Sequence, residues 1–211
     1  MNTKNLSTLA RLGKAPVTIF QGEVASGKSN AIMQTIAMNP ETVVVFLNGN
    51  LWSDYIRSKD TIVRIEDSDT IDNLADQLPT PITTNGNRIF MDIDGAHEEI
   101  MPVIAAMVKE NPDREYIFIL NNTSNNSHVS LDFLGKLTPS NTRIYIETQC
   151  SLDIDRDILR TMDRVLFKTL NANVKLLYGD AIEKERAVLE CGEALYISEN
   201  AEICKIHFSK I

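Results

Sequence analysis

The stretch "FQGEVASGKSN" at residues 20–30 places a glycine, four further residues and then Gly-Lys-Ser in a row. The β-branched run "PVTIF" at 16–20 precedes it and predicts a strand, and "SNAIMQTIAMN" follows it and predicts a helix. A glycine loop between a strand and a helix is the context in which this spacing forms a phosphate-binding loop. The stretch therefore predicts an α/β fold that begins with an anion site.

The chemistry of this loop is set by its backbone. Its N–H groups form an anion-binding nest, and the positive end of the helix that starts near Lys28 adds to it. Lys28 supplies a charge for the β- and γ-phosphates, and the Ser29 hydroxyl suits Mg²⁺. We expect ATP and Mg²⁺ as cofactors, although no motif separates ATP from GTP. The predicted nucleotide-binding residues are Gly22, Glu23, Val24, Ala25, Ser26, Gly27, Lys28, Ser29 and Asn30.

An acidic partner for the metal is predicted in "NRIFMDID", where Asp92 and Asp94 alternate along a strand and point to one face. Two registers stay open. If Asp92 lies on the metal side, Asp94 activates the attacking water. If Asp94 lies on the metal side, Gly95 stands where a catalytic glutamate is usual, and Glu98 or Glu99 would have to replace it.

Strand-like and helix-like segments alternate along the chain, which predicts a mostly parallel sheet with helices on both faces. We expect one domain over 1–211, with a helical extension at 1–14, a helix around 173–179 and an antiparallel hairpin over 185–211. The other predicted strands are 42–48, 61–66, 87–94, 115–120, 143–149 and 164–170.

Composition limits the class of function. A formal net charge of −8 argues against a broad basic face for DNA, but it leaves room for loops pooled around a pore. No apolar run is long enough for a membrane span, and the N-terminus lacks the apolar core of a secretion signal. The three cysteines have no metal-like spacing, so we expect buried thiols in a reducing cytosol.

"RIYIETQC" places Gln149 at the end of a strand that follows the aspartates, where a polar side chain can sense the γ-phosphate. With "ETQ" at 147–149, the chain resembles the FtsK/HerA superfamily of DNA-pumping ATPases over about residues 14–208. "RDILRTMDRVLFKTL" and "GEALYIS" are similar to the helix, strand and hairpin that follow the glutamine there. The resemblance implies a RecA-like phosphate-loop NTPase core in a homo-oligomeric, hexameric ring that pumps DNA.

Within that superfamily, the size resembles the small genome-packaging ATPases of membrane-containing icosahedral viruses. This resemblance implies hydrolysis coupled to the movement of double- or single-stranded DNA into a capsid, with capsid or membrane-vertex proteins as further partners. It implies a location in the host cytoplasm or at a virion vertex. It also implies an arginine supplied by the next subunit. Arg143 stands in the matching place, with Arg160 and Arg164 as alternatives.

Candidate DNA contacts are the uncharged polar loop at 121–130 and the aromatic and basic segment at 48–59. Other classes stay open. RecA- and DnaB-like ATPases share this core, which would make the chain a helicase or a recombinase. A nucleotide-dependent switch or assembly factor is favoured by the missing glutamate after Asp94. A small-molecule kinase would need an arginine-rich lid, which the sequence lacks.

Overall fold

The structure is a computed structural model that describes part of the chain. It covers residues 12, 15–37, 42–47, 61–65, 89–93, 105, 106, 108–122, 141–149, 162–168 and 179–209. Of residues 47, 61–65, 89–93, 121 and 122 only the backbone is described.

Nine strands and two helices are bounded within these residues, and they follow the alternation predicted from the sequence. The strands are β1 Val17–Gln21, β2 Val43–Leu47, β3 Thr61–Ile65, β4 Ile89–Ile93, β5 Tyr116–Asn122, β6 Thr142–Thr148, β7 Asp163–Phe167, β8 Glu193–Ile197 and β9 Ile203–His207. The helices are α1 Lys28–Ala37 and α2 Asp180–Ala187. Residues 105, 106 and 108–110 are also helical.

The strand pairs confirm the predicted fold class. β1 pairs with β7, β2 with β4 and with β5, and β3 with β4, all in parallel. β7 pairs with β8, and β8 with β9, in antiparallel. The fold is therefore mixed α/β, mostly parallel, with antiparallel strands at the C-terminal end.

The chain divides into two compact units, and the phosphate loop belongs to the first. This unit comprises residues 1–38, 122–128 and 145–211. Its strands stand in the order β6-β1-β7-β8-β9, so β1 lies between β6 and β7. The loop that follows β1 therefore begins between the ends of two neighbouring strands.

The second unit comprises residues 39–121 and 129–144, and its strands stand in the order β3-β4-β2-β5. β2 is apolar throughout, and Val43 to Phe46 are buried, as expected for a strand covered on both faces. Phe46 is in register with Asp92 of β4 on one side and with Ile119 of β5 on the other.

Helix α1 buries one face within the first unit, because its apolar residues recur at helical spacing. Ala31, Ile32, Met33 and Ile36 are buried, and the first helical hydrogen bond runs from the Ala31 N–H to the Gly27 carbonyl, 2.9 Å away. Helix formation thus starts directly at the loop.

The C-terminal hairpin is closed at its turn by a buried carboxylate. Asp163 Oδ2 accepts a hydrogen bond from the Tyr196 hydroxyl at 2.6 Å, and its Oδ1 accepts one from the Glu199 N–H at 2.9 Å. The Ser198 Oγ accepts from the Glu202 N–H at 3.1 Å. These bonds tie the start of β7 to the end of β8.

Helix α2 corrects one predicted boundary. The hairpin expected from 185 starts at Glu193, and residues 180–187 before it are helical. The helix expected around 173–179 lies outside the described residues except for Gly179, which precedes α2. Residues up to Ala187 remain helical because Arg186 is fully buried and its Nε donates to the Phe167 carbonyl at 3.0 Å. Gly192 then turns the chain with a φ of 83°.

The cysteine prediction is wrong at two positions. Cys191 and Cys204 are exposed and form no disulfide. Cys191 lies in the turn before β8, and Cys204 lies on the exposed face of β9, so neither meets the core. Cys150 lies outside the described residues, as do residues 1–11 of the predicted N-terminal extension.

Candidate phosphate-binding site

The glycine loop is anchored to both strands that flank β1. The Gly22 N–H donates to the Thr148 carbonyl at the end of β6, and the Glu23 N–H donates to the Lys168 carbonyl just after β7, each at 3.1 Å. The Ser26 N–H closes a turn back to the Glu23 carbonyl at 3.3 Å. The loop therefore leaves the sheet in a fixed direction.

Two positions in this loop require glycine. A Cβ on Gly22 would lie 2.6 Å from the Phe167 Cβ, closer than carbon atoms approach. Gly27 has a φ of 102°, which L-residues with side chains rarely adopt. Between them, Val24 and Ala25 are exposed, and Ala25 has a φ of 59°. The apex of the loop is open to ligands, while its two ends are packed.

The start of α1 provides donors for an anion. Because the first helical bond is made by Ala31, helix geometry leaves the N–H groups of Lys28, Ser29 and Asn30 without an intrahelical acceptor. The helix has ten residues, long enough for its positive end to favour negative charge. This is the arrangement that the loop sequence predicts.

Lys28 is only 5% exposed, and its ammonium group is held at the base of the loop. Its Nζ donates to the Glu23 carbonyl at 2.7 Å and lies 3.9 Å from Glu147 Oε1. Burial lowers the pKa of Lys28, and the charges of Glu147 and then Glu23 partly offset that effect. The described partners of this buried cation are one carbonyl and one carboxylate 3.9 Å away. Such a cation is well suited to receive phosphate oxygens.

Glu147 is the residue that sequence analysis missed. The Ser29 hydroxyl donates to its Oε1 at 3.0 Å, while its Oε2 is buried and makes no hydrogen bond to a described residue. Burial raises the pKa of Glu147, and the Lys28 charge and the Ser29 hydrogen bond partly counter this. The available signal was the spacing of "ETQ": residues two apart on a strand share a face, so Glu147 lies on the side predicted for Gln149.

Gln149 directly follows β6, as predicted, and it is partly buried. Its neighbour Thr148 accepts the bond from Gly22, so the glutamine is one residue from the loop's anchor. Its role as a sensor stays a prediction.

Asn30 uses its side chain elsewhere in the same unit. Its Nδ2 donates to the Ser209 carbonyl at 2.7 Å, and Gln34 Nε2 donates to the same carbonyl. The segment after β9 thus covers the first turns of α1. On the other side of the loop, the exposed Cys191 thiol lies 3.9 Å from the Ala25 carbonyl.

The predicted acidic residues are only partly described. The backbone of Asp92 lies in β4, opposite Arg64 of β3 and Phe46 of β2, all in the second unit. Asp94, Glu98 and Glu99 lie outside the described residues. Their roles stay predictions.

The candidate arginines differ in their surroundings. Arg143 makes an ion pair with Glu115 of the same unit at 2.9 Å, and Glu115 is half exposed. Arg164 is buried, and its guanidinium donates to the Ser198 carbonyl at 3.5 Å. Arg160 lies outside the described residues, as do 48–59 and most of 121–130.

No protein-family model matches this chain, and no curated protein matches it. Two solved structures are similar in fold. One, titled "ATPase", shares 12% sequence identity and a TM-score of 0.48, over 95% of this chain and 81% of that one. The other is an ATPase domain with 10% identity and a TM-score of 0.45, over 92% of this chain and 80% of that one. At this level of similarity neither structure assigns an activity or a substrate.

Among the described helices, none has the length and apolar character needed to cross a bilayer.

Proposed function

We propose that this chain is a Mg²⁺-dependent ATPase of the phosphate-loop class. The observation that carries the proposal is the buried ammonium of Lys28 at the base of a glycine loop, beside a helix start with free N–H groups. A buried charge is costly unless partners compensate it. The Glu23 carbonyl and Glu147 compensate Lys28 in part, and the phosphate chain of a nucleotide would add to this.

The residues at this site fit a nucleoside triphosphate and Mg²⁺. Phosphate oxygens are received by the backbone of the loop and by Lys28, and Ser29 offers a hydroxyl to Mg²⁺. Glu147 lies beside this hydroxyl, and its buried Oε2 accepts no hydrogen bond from a described residue. The carboxylate can therefore interact with a further group. When bound, Mg²⁺ neutralises charge that builds up on the phosphates.

Hydrolysis also requires a group that orients the attacking water. A second group would sense the loss of the γ-phosphate. If Asp92 lies on the metal side, Asp94 is proposed for the first task. If Asp94 lies on the metal side, Glu98 or Glu99 is proposed instead. Gln149 is proposed for the second, and its place one residue after β6 supports this. Glu23, which is partly exposed at the loop, is an alternative partner for water.

We further propose that hydrolysis drives DNA through a ring of identical subunits, as the resemblance to the FtsK/HerA superfamily implies. A hexamer would bring the loops at 48–59 and 121–130 of several subunits to one pore, which reconciles DNA contact with a net charge of −8. The specific role proposed is loading a viral genome into a capsid, in the host cytoplasm or at a virion vertex.

The direct test is the ATPase rate with and without double-stranded DNA, read beside the mass of the particle in solution. Stimulation of a hexamer by DNA supports the motor, and single-stranded DNA in a parallel assay tests strandedness. A hexamer that unwinds duplexes favours a RecA- or DnaB-like helicase instead. A monomer that binds nucleotide, turns over slowly and ignores DNA points to a switch. Gly95 after Asp94 is the sequence feature that favours that outcome.

The ring proposal makes a separate prediction for Arg143. If it reaches the next subunit's site, Arg143→Ala should reduce hydrolysis by roughly 10³-fold or more. Mixing it with Lys28→Ala subunits, which keep Arg143, should restore part of the activity, because some mixed interfaces pair an intact loop with an intact arginine.

The matched control is Glu115→Ala, which breaks the same ion pair but keeps the arginine. It should retain hydrolysis. If mixing restores nothing at any ratio, Arg143 does not act across an interface.

A further inference from the structure

The Ser29 hydroxyl has a fixed orientation in this structure. A serine hydroxyl carries one proton and two lone pairs, and a carboxylate only accepts hydrogen bonds. Because the Ser29 proton is donated to Glu147 Oε1 at 3.0 Å, the lone pairs of its oxygen are left for another partner. A hydroxyl held this way leaves its oxygen lone pairs available to coordinate a cation.

Glu147 is placed for this task by the sheet. It lies on β6, the neighbour of β1, and the anchor between Gly22 and Thr148 holds β6 against the start of the loop. The residue is only 7% exposed. Its other close charge is Lys28, whose Nζ is 3.9 Å from the same oxygen.

The second oxygen of Glu147 is the feature that calls for a ligand. Buried polar atoms are nearly always hydrogen-bonded, and leaving one unsatisfied costs free energy, more so for a charged group. Oε2 is buried and has no partner among the described residues. A group other than the described residues is therefore expected beside it.

We propose that Glu147 is a positioning residue that orients Ser29 for Mg²⁺ and adds negative charge to the outer shell of the cation. This inference rests on the proposed nucleotide-binding function. It gives the chain an acidic group in the same unit as the loop, whatever Asp92 and Asp94 do. Outer groups that orient a metal ligand typically change metal affinity by about 10–100-fold when removed.

The test is the affinity for ATP in Mg²⁺ and in EDTA, measured by calorimetry on the full chain. The ratio of the two affinities is the Mg²⁺ gain. Glu147→Gln should lower this gain by about tenfold, while affinity in EDTA is kept because Lys28 and the loop backbone are intact. Glu185→Gln, on an exposed position of α2, is the matched control and should keep the full gain.

A double variant tells whether Glu147 acts through Ser29. Ser29→Ala should also lower the Mg²⁺ gain, and Ser29→Ala with Glu147→Gln should lose little more than the larger single loss. A wild-type gain in Glu147→Gln, or losses that multiply in the double variant, would overturn the proposal.

The outcomes separate this inference from the proposed function. A wild-type chain that binds ATP in neither buffer refutes nucleotide binding itself, and this inference with it. If Glu147→Gln does not fold, Glu147→Asp is measured in the same way, since it keeps the charge and shortens the reach. A severalfold smaller gain supports the proposal, and an unchanged gain overturns it.

Discussion

Two buried carboxylates in the first unit have nearly equal exposure, 6% for Asp163 and 7% for Glu147, and very different surroundings. Both oxygens of Asp163 accept a hydrogen bond, one from Tyr196 and one from Glu199. Glu147 accepts a bond from Ser29 on one oxygen, and its other oxygen accepts none from a described residue. We call Asp163 the closed carboxylate, because described residues donate to both of its oxygens, and Glu147 the open carboxylate.

The difference separates structure from function. A carboxylate whose acceptor sites are filled by the protein stabilises the fold, as Asp163 does at the turn of the C-terminal hairpin. A carboxylate with a buried oxygen that accepts no hydrogen bond lowers the free energy of unfolding, unless a ligand supplies the missing partner. The open group lies beside the phosphate loop, and the closed group lies away from the loop, at the start of β7.

The largest expected effect concerns Lys28, whose Nζ lies 3.9 Å from Glu147 Oε1. Lys28→Ala should reduce ATP hydrolysis by about a hundredfold or more, because the phosphates lose a preorganised charge. Its circular dichroism and unfolding transition should stay those of a folded protein. The measurement is steady-state phosphate release, with Lys184→Ala on the exposed face of α2 as control. Normal turnover in Lys28→Ala would refute the assignment of the loop.

Removing the closed carboxylate should affect stability instead. Asp163→Ala leaves the Tyr196 hydroxyl and the Glu199 N–H without their acceptor, so we expect a loss of about 2–4 kcal/mol in the free energy of unfolding. Urea unfolding at pH 7 measures this, and ATP affinity of the folded fraction should be kept. Glu185→Ala, at an exposed position, should change stability by less than about 0.5 kcal/mol. If the two variants are equally stable, Asp163 is not a stabilising group.

One substitution made at two tyrosines sharpens the same contrast. Tyr196→Phe removes a donor to a buried carboxylate and should cost about 1.5–3 kcal/mol. Tyr116→Phe, in the second unit, removes a buried hydroxyl that has no hydrogen-bond partner among the described residues, so it should be neutral or stabilise by up to about 1 kcal/mol. Urea unfolding of both variants gives the comparison. Equal losses would show that the hydroxyl partners do not decide stability.

The smallest effect is expected in alkaline solution. Burial raises the pKa of Tyr116, and the charge of Arg114 offsets this only in part. The unfolded chain then releases the tyrosine proton first, near pH 10, so the wild type loses stability as the pH rises from there toward the folded pKa. Tyr116→Phe lacks this loss. Its advantage over the wild type should grow by at most about 1.4 kcal/mol per pH unit above pH 10, and should be constant between pH 7 and 9. A difference that does not grow would mean that Tyr116 ionises as easily in the folded state.

Local patterns were enough to predict the elements around the loop. β1, Gly22, Gly27 and α1 are set by residues close together in the chain, and the structure shows them where the spacing puts them. The C-terminal antiparallel strands were predicted from two apolar runs with a turn between them, and they are confirmed.

The contact between Ser29 and Glu147 could not be predicted in the same way. It joins residues 118 positions apart, and it depends on β6 being the neighbour of β1, which no local pattern states. The corrected start of the hairpin has a similar origin, because Arg186 lies in α2 and donates to the Phe167 carbonyl of β7. Both contacts join residues from different elements, so local sequence patterns do not predict them.

The exposed thiol beside the loop offers a way to watch nucleotide enter. Cys191 lies 3.9 Å from the carbonyl of Ala25, at the open apex, and belongs to none of the predicted ligands. An environment-sensitive fluorophore attached there, in a chain with Cys150 and Cys204 replaced by serine, would report the filling of the site by a change in emission. The protein thus carries its own attachment point for an optical sensor of its nucleotide state.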